Sequence, residues 1–224
     1  MIPLRDINPS RSRPVATYFL IATNILVFLY MASLPSVREL EAFVRTYGLT
    51  PAVVRGLISH PGGFPPFLTF FTSMFLHGGW VHLLGNMLYL WVFGDNVEDA
   101  MGHGRFLMFF ALTGIVGGMA HVLTNPTSPV PVIGASGAIA GVLGGYLFLY
   151  PRARIISFIP LGFFFQLVEI PAIVYLPFWF LIQFASGLAS FGVGTMSSVA
   201  WWAHIGGFLA GFVLVRSFAR RRRF

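Results

Sequence analysis

A serine lies among small residues in the sequence Gly134-Ala135-Ser136-Gly137, and a histidine, His204, lies in a second apolar segment. A serine hydroxyl becomes a nucleophile when a neighbouring base takes its proton, and imidazole commonly serves as that base. A histidine among hydrocarbon is costly unless it faces the interior of a helix bundle, so its presence is a hint of function. We therefore predict that Ser136 is a nucleophile and that His204 is its general base.

Two more polar residues, His82 and Asn86, lie four positions apart in a third apolar segment. Residues at that spacing share one face of a helix. Both side chains can donate hydrogen bonds to the charge that develops on a carbonyl oxygen, together with the backbone N–H of Ser136. The alternative is that each side chain only bonds a neighbouring helix.

No orienting carboxylate is expected near His204. Four acidic residues fall at the cytoplasmic side of the predicted topology, far in depth from this histidine: Asp95, Glu98, Asp99 and Glu169. We therefore predict a Ser-His dyad rather than a triad. A zinc protease fits less well, because His77 and His82 are five residues apart and the sequence contains no HExxH motif. The remaining histidines are predicted to be loop or packing residues: His60, His103 and His121.

The composition indicates the setting of this chemistry. Of 224 residues, 56% are hydrophobic, 17% are aromatic and only 9% are charged. Soluble domains average about 25% charged residues, so we predict an integral membrane protein. The chain has no cysteine, which excludes a disulfide framework, a thiol nucleophile and a cysteine metal site within it.

Apolar runs predict six membrane-spanning helices in one domain over residues 1–224, an all-α bundle with both termini in the cytoplasm. A crossing needs about 20 helical residues. Residues 35–78 form the predicted outer loop, with an interfacial hairpin. Residues 155–169 are placed near the membrane interface, because prolines interrupt them and Gln166 and Glu169 suit the bilayer poorly. The predicted spans are 15–34, 79–94, 106–123, 136–150, 170–188 and 199–215.

The arginines support this topology, since positive charge accumulates in cytoplasmic loops. Eleven of the 14 basic residues, all arginines, fall inside and three fall outside. The outside residues are Arg38, Arg45 and Arg55. A net charge of +7 therefore indicates membrane orientation, and no nucleic-acid partner is needed to explain it.

Ser136, His82 and His204 are predicted to lie at similar depth. Spans two, four and six run in the same direction, and a rise of about 1.5 Å per residue places these residues roughly 18 to 21 Å above the inner membrane edge. Span four is too short to cross, so residues 129–135 must dip into the membrane, where irregular backbone is either buried in protein or lines a water-filled cavity. Ser136 then begins a helix whose N–H groups and dipole favour an oxyanion. The alternative is a simple N-cap.

Small residues recur every four positions on spans four and six, and such stripes let two helices approach closely. Close packing of these spans would bring Ser136 and His204 within reach of each other. The alternative is that the stripes serve only helix packing. The residues are Gly137, Gly141 and Gly145 on span four, and Ala203, Gly207 and Gly211 on span six.

Three motifs resemble those of the rhomboid family of intramembrane serine proteases: residues 77–86, 134–137 and 203–207. They lie in order on alternate spans, and the resemblance extends from residue 47 to the last span. It implies that Ser136 is the nucleophile and that His204 acts as base and then as acid. The implied oxyanion and substrate-binding residues are His82, Asn86, Gly134 and Ala135, with supporting roles for His77, Gly137 and Gly207.

The resemblance also implies a substrate: a membrane protein whose transmembrane helix unwinds near its outer end. The fifth span and residues 186–198 would be the gate and the cap. Substrate and lipid are the expected partners, and no metal or cofactor is implied. Two features depart from the family pattern: Ala140 offers no aromatic ring for His204 to stack on, and the outer loop 35–78 lacks the tryptophan of some relatives.

Short ends and the absence of an obvious targeting peptide favour a bacterial inner (plasma) membrane over an organelle membrane. The main alternative function is a noncatalytic rhomboid-like protein that binds membrane clients. A transporter fits less well, because we see neither charged residues at the midplane nor broken helices in inverted repeats.

Overall fold

The computed structural model describes residues 1–60, 63–161, 164–190 and 199–220. Residues 191–198, most of the predicted cap, lie outside this part of the chain. The strands are β1 (Ile2–Asp6), β2 (Arg154–Leu161) and β3 (Phe164–Pro171). The helices are α1 (Val15–Ala32), α2 (Val37–Tyr47), α3 (Pro51–Val54), α4 (Thr69–Thr72), α5 (Trp80–Met101), α6 (His103–Thr124), α7 (Ser136–Leu149), α8 (Ala172–Ser190) and α9 (Trp201–Phe218).

Three of the helices, α1, α6 and α8, are long and apolar enough to cross a membrane. A fourth crossing is counted if Pro66–Phe75 and α5, which meet at a bend of 83°, form one broken span. Large apolar side chains cover the outward faces of these helices; for example, 66% of Leu26 and 69% of Leu123 are exposed. Such continuous apolar surfaces suit hydrocarbon rather than water. The other two predicted spans correspond to α7 and α9, which are not among the helices that are long and apolar enough to cross a membrane.

Helix α5 continues to Met101, beyond the predicted end at residue 94. The predicted loop that held Asp95, Glu98 and Asp99 is therefore the last two turns of this helix. Glu98 is tolerated there because its buried carboxylate accepts hydrogen bonds from Ala16 N at 2.8 Å and Thr17 N at 2.7 Å. These bonds satisfy backbone donors in the first turn of α1. The carboxylate therefore joins the start of α1 to the last turn of α5.

The prediction of an all-α fold needs correction, because residues 154–161 and 164–171 form strands. Strands β1, β2 and β3 form an antiparallel sheet in that order, with Asp6 opposite Ile155 and Ile155 opposite Ile170. Ile155 and Ser157 are buried, whereas Arg154 is exposed. This period-two pattern turns one sheet face toward the helices. The protein is mostly helical, with one sheet at the end of the bundle.

A polar cluster holds the sheet against the helices. Tyr146 of α7 donates a hydrogen bond to Asp6 Oδ2 at 2.5 Å, and Asn96 Nδ2 of α5 donates to the same oxygen at 3.1 Å. Burial raises the pKa of the Asp6 carboxyl to about 6, and the nearby Asp95 also raises it. The strand β1 is thereby fixed to two different helices.

The predicted outer loop contains helix α2 and shorter helical turns. Ser36 Oγ caps α2 by accepting a hydrogen bond from Glu39 N at 3.2 Å. Further along, Leu49 and Val132 exchange two backbone hydrogen bonds, of 2.9 and 2.8 Å. The outer loop is thus tied directly to the segment that precedes α7.

Helix α7 is the centre of the bundle. All its residues from Gly137 to Tyr146 are buried. The small residues of α9 explain how closely the two helices approach, since a Cβ at Gly207 would overlap the carbonyl oxygen of Gly137, and a Cβ at Gly211 would overlap that of Gly141. The predicted stripes therefore form a helix contact that larger residues would disrupt.

Helix α8 is held at the end that joins the sheet. Ala172 N donates to Ala153 O at 2.8 Å, and the hydroxyls of Tyr175 and Tyr89 lie 3.1 Å apart. Pro177 lies inside the helix. Because proline has no N–H, the carbonyl of Ile173 loses its helical hydrogen bond.

Candidate active site

Ser136 is the first residue of α7, and the chain before it is fixed by backbone hydrogen bonds. Gly134 N donates to Ser73 O at 2.9 Å. Gly134 has a φ of 123°, in the region that favours glycine. A Cβ at this position would also lie 2.6 Å from His82 Nε2. The glycine therefore allows both the turn into α7 and the close approach of His82.

The structure brings Ser136 and His204 together, although they are 68 residues apart in sequence. His204 Nε2 lies 2.7 Å from Ser136 Oγ. The approach depends on the α7–α9 contact, where Gly137 faces the carbonyl oxygen of Ala203. His204 itself is buried. A hydroxyl and an imidazole at this distance have the geometry of a nucleophile and its base.

The other ring nitrogen of His204 contacts a residue that the sequence reasoning missed. Gln183 Oε1, on α8, lies 2.8 Å from His204 Nδ1. The signal was present, because Gln183 is a polar residue within the apolar span predicted at 170–188. The rule that singled out His204 in its own apolar helix applies equally to this glutamine.

Two tryptophans flank the His204 ring. The ring centroid of Trp179 on α8 and that of Trp201 on α9 each lie 6.1 Å from the imidazole centroid. Ala140 of α7 offers no aromatic ring at this position. These tryptophans provide the aromatic contact from other helices.

His82 and Asn86 lie beside Gly134 on the opposite wall. Asn86 Nδ2 lies 2.9 Å from Nε2 of His77, and a Cβ at Gly134 would lie 3.6 Å from that amide nitrogen. His77 is almost completely buried, and its ring centroid lies 5.0 Å from that of His82. His77 therefore contacts both predicted oxyanion residues, Asn86 and His82.

These side chains surround one cavity of about 1310 Å³. It extends between α5 and α8 and along the segment that leads to α7. A hydroxyl and an imidazole base therefore face one space, together with an amide and a second imidazole that can donate hydrogen bonds. Acyl transfer requires this set of groups. The site residues that line the cavity are Ser136, His204, His82, Asn86 and Gln183, and His121 of α6 also lines it.

The histidines predicted to serve packing or loops lie in three different settings. His103 Nδ1 lies 2.5 Å from the Glu98 carboxylate, so it belongs to the contact between α1 and α5. His60 lies in the outer loop, with its ring 6.3 Å from that of Phe64. His121 differs from the prediction in facing the cavity.

The family model of the Rhomboid domain matches residues 66–221. The chain belongs to the rhomboid family. All the candidate site residues described above fall within this match. With its apolar helices, this rhomboid is an integral membrane protein.

Several curated proteins resemble this rhomboid over shorter or longer segments. Rhomboid protease GluP of Bacillus subtilis is 32% identical over 200 residues, which cover 89% of the chain and 34% of GluP. Rhomboid-like protein 11, chloroplastic, of Arabidopsis thaliana is 30% identical over 158 residues, covering 68% of the chain and 52% of that protein. Rhomboid protein 1, mitochondrial, of Saccharomyces cerevisiae is 35% identical over 91 residues, covering 39% of the chain and 26% of the yeast protein. The chain thus spans about half or less of the length of these relatives.

Proposed function

We propose that this rhomboid is an intramembrane serine endopeptidase that uses Ser136 and His204 as a catalytic dyad. The observation that carries the proposal is the 2.7 Å contact between Ser136 Oγ and His204 Nε2, at a cavity among apolar helices. Family membership supports it, and so does the similarity to GluP, which is named a rhomboid protease.

In the proposed reaction, His204 Nε2 takes the proton of Ser136 as Oγ attacks the carbonyl carbon of the scissile bond. The charge on the carbonyl oxygen is stabilised by the Ser136 backbone N–H and by the side chains of His82 and Asn86. His204 then gives its proton to the leaving amine, which departs and leaves an ester on Ser136. A water molecule, deprotonated by His204, hydrolyses this ester and restores the serine.

The proposed topology has six crossings, made by α1 and α5 to α9, with both termini in the cytoplasm. Helix α7 has only 14 residues, so the preceding segment enters the membrane with it. This arrangement puts irregular backbone where it lines the cavity, as a bilayer requires. Residues 1–224 form one membrane domain in this proposal.

The proposed substrates are transmembrane segments of other membrane proteins. The cavity reaches both α5 and α8, so a segment arriving from the lipid enters between these helices. A substrate helix that unwinds there exposes a backbone carbonyl to Ser136. We place this activity in a bacterial inner (plasma) membrane.

A fluorophosphonate probe tests the proposal, because it reacts with activated serines. The purified protein is labelled in detergent and in lipid, and its intact mass is measured. We expect one adduct on the wild type and none on Ser136→Ala or His204→Ala. Ser190→Ala is the matched control, since Ser190 also lines the cavity but donates to Gly187 O at 2.7 Å; it should label like the wild type.

Absence of an adduct on folded wild-type protein in both media would contradict the proposal. That result would favour a noncatalytic protein that binds membrane clients. An adduct that persists in Ser136→Ala would also contradict it, because the reactive serine would then be a different one.

A further inference from the structure

We propose that Gln183 is a positioning residue that orients His204, in the place that a carboxylate takes in a Ser-His-Asp triad. The inference rests on the proposed function, because it gives a third residue to the same site. It starts from the 2.8 Å contact between Gln183 Oε1 and His204 Nδ1.

The chemistry of the two groups fixes the position of the imidazole proton. An amide oxygen has lone pairs and no hydrogen, so it only accepts. His204 Nδ1 must therefore carry the N–H that Gln183 Oε1 accepts. A neutral imidazole has a single N–H, which leaves a lone pair on Nε2. That lone pair faces Ser136 Oγ at 2.7 Å and accepts the hydroxyl proton.

The opposite tautomer fits the site poorly. It would direct an N–H of His204 at Ser136 and place the lone pair of Nδ1 against the lone pairs of Gln183 Oε1. His204 could then not act as a base toward Ser136. The glutamine therefore selects the tautomer that the proposed reaction needs.

The amide of Gln183 is itself held in this orientation. Gln183 Nε2 donates to the backbone carbonyl of Trp179 at 3.4 Å, a partner that only a donor can satisfy. Rotating the amide by half a turn would put the side-chain oxygen against the carbonyl oxygen of Trp179. Gln183 is only 7% exposed, so water offers little substitute. Burial and two bonds thus define one amide orientation.

Gln183 differs from an aspartate because it carries no charge. Among the residues described as lining the cavity, the titratable side chains besides His204 are His82 and Tyr89 on α5 and His121 on α6, and none is acidic. An amide can therefore orient His204 but cannot neutralise the imidazolium that forms during the reaction. We expect its removal to cost less than the loss of a triad aspartate.

The contact also makes the base depend on helix α8. Ser136 and His204 lie on α7 and α9, whereas Gln183 lies on α8. If the substrate enters between α5 and α8, displacement of α8 separates Gln183 from His204. The base is then oriented only when α8 has returned to its place beside α9.

The test compares Gln183→Leu and Gln183→Glu with the wild type. A fluorescent fluorophosphonate is the probe, and the limiting rate constant and the half-saturating concentration for labelling of Ser136 are measured against pH. Gln183→Leu should lower the limiting rate constant about 10- to 100-fold, less than the roughly 10⁴-fold loss seen for a triad aspartate. The half-saturating concentration should change less than the limiting rate constant, because the contact of Gln183 is with the base, His204.

Gln183→Glu should label faster than Gln183→Leu, because its carboxylate still accepts the Nδ1 proton. It should also move the acid limb of the pH profile to higher pH, because a carboxylate favours imidazolium. Gln166→Leu is the control, since Gln166 is exposed on β3; its profile should match the wild type. A wild-type limiting rate constant in Gln183→Leu would overturn the proposal, and so would equal rates and identical pH profiles for the two Gln183 variants.

A second measurement does not depend on activity. Ring-nitrogen NMR of labelled His204 in Ser136→Ala protein should show a proton on Nδ1, and Gln183→Leu should populate both tautomers. A proton on Nε2 in the presence of Gln183 would overturn the positioning role. Correct tautomer selection in a protein whose wild type does not label would contradict the proposed protease alone.

Discussion

Gly134 and His82 fit against each other with no room for a side chain between them. The glycine has a φ of 123°, and a Cβ on it would lie 2.6 Å from His82 Nε2. Both the backbone conformation and the space therefore require glycine at this position. Gly134, two residues before α7 begins, is therefore coupled to His82 on the wall opposite Ser136.

Gly134→Ala should consequently impair both stability and the candidate site. We expect the free energy of unfolding to fall by about 1–3 kcal/mol, because alanine rarely adopts this conformation. Labelling of Ser136 by fluorophosphonate should slow, because His82 must move. Denaturant unfolding in detergent and labelling rates measure the two effects. Gly85→Ala is the control, with nothing within 4 Å of its Cβ, and equal behaviour of the two variants would contradict the argument.

Asn86→Ala should slow the reaction of Ser136 roughly 100-fold, the usual cost of losing one oxyanion donor. His77 bonds Asn86 at 2.9 Å and acts through it, so His77→Phe should have a smaller effect. The double variant should react no more slowly than Asn86→Ala alone. Labelling rates measure the three variants.

His121→Phe provides the comparison for that series, since His121 lines the cavity on the α6 side. Its rate should equal that of the wild type. If the effects of His77→Phe and Asn86→Ala simply add, His77 has a role of its own and the assignment fails.

Gly211→Ala should destabilise the bundle at a helix contact that contains no candidate site residue. Its Cβ would overlap the carbonyl oxygen of Gly141, so α7 and α9 must separate. Overpacking of this kind costs about 1–3 kcal/mol of unfolding free energy. Gly104→Ala, where a Cβ meets nothing within 4 Å, should be neutral in the same detergent unfolding experiment. A neutral Gly211→Ala would show that the helices are not held at this distance.

The buried carboxyl of Asp6 should make stability depend on pH. Its pKa is about 6 in the folded protein and about 4 in an unfolded chain. Between these values the folded protein binds more protons, so the contribution of Asp6 to stability is largest below about pH 4 and is lost as the pH rises through about 6. Asp6→Asn removes this titration.

Thermal unfolding in detergent at a series of pH values checks the Asp6 prediction. The stability of the wild type relative to Asp6→Asn should fall as the pH rises through this window and stay level above it. A difference that is constant with pH would show that Asp6 titrates alike in both states. Glu39→Gln, at an exposed residue of α2, is the control substitution.

The parts of the fold that the sequence predicted correctly depend on local patterns. Apolar runs indicated the long helices, and small residues recurring every four positions indicated the α7–α9 contact. His204 was singled out because an ionisable side chain is unusual in an apolar setting, and Ser136 because it lies among glycines at the start of an apolar segment. Their roles remain proposals, as do those of His82 and Asn86.

The parts that the sequence did not predict depend on contacts between residues far apart in the chain, or on how a helix is rotated about its axis. Strand β1 pairs with β2 across about 150 residues, and neither segment shows by itself that the other is its partner. The extension of α5 depends on Glu98 meeting the first turn of α1. Gln183 faces His204 only because of how α8 is rotated, and one polar residue in an apolar helix does not define that rotation.

Pro177 divides helix α8 into two parts that make different contacts. The half before it is tied to the sheet and to Tyr89, whereas the half after it carries Trp179 and Gln183. Because the hydrogen bond to Ile173 O is missing, the helix bends more easily here than elsewhere along its length, and we call this position the hinge. Gln183 lies six residues beyond the proline, roughly 9 Å along the helix axis.

A bend of about 20° at this hinge would move Gln183 by roughly 3 Å, enough to break its bond to His204. The anchored half would keep its place throughout. A modest bend of one helix can therefore separate the proposed positioning residue from His204, while Ser136 and His204, on two helices packed closely through glycines, stay in contact.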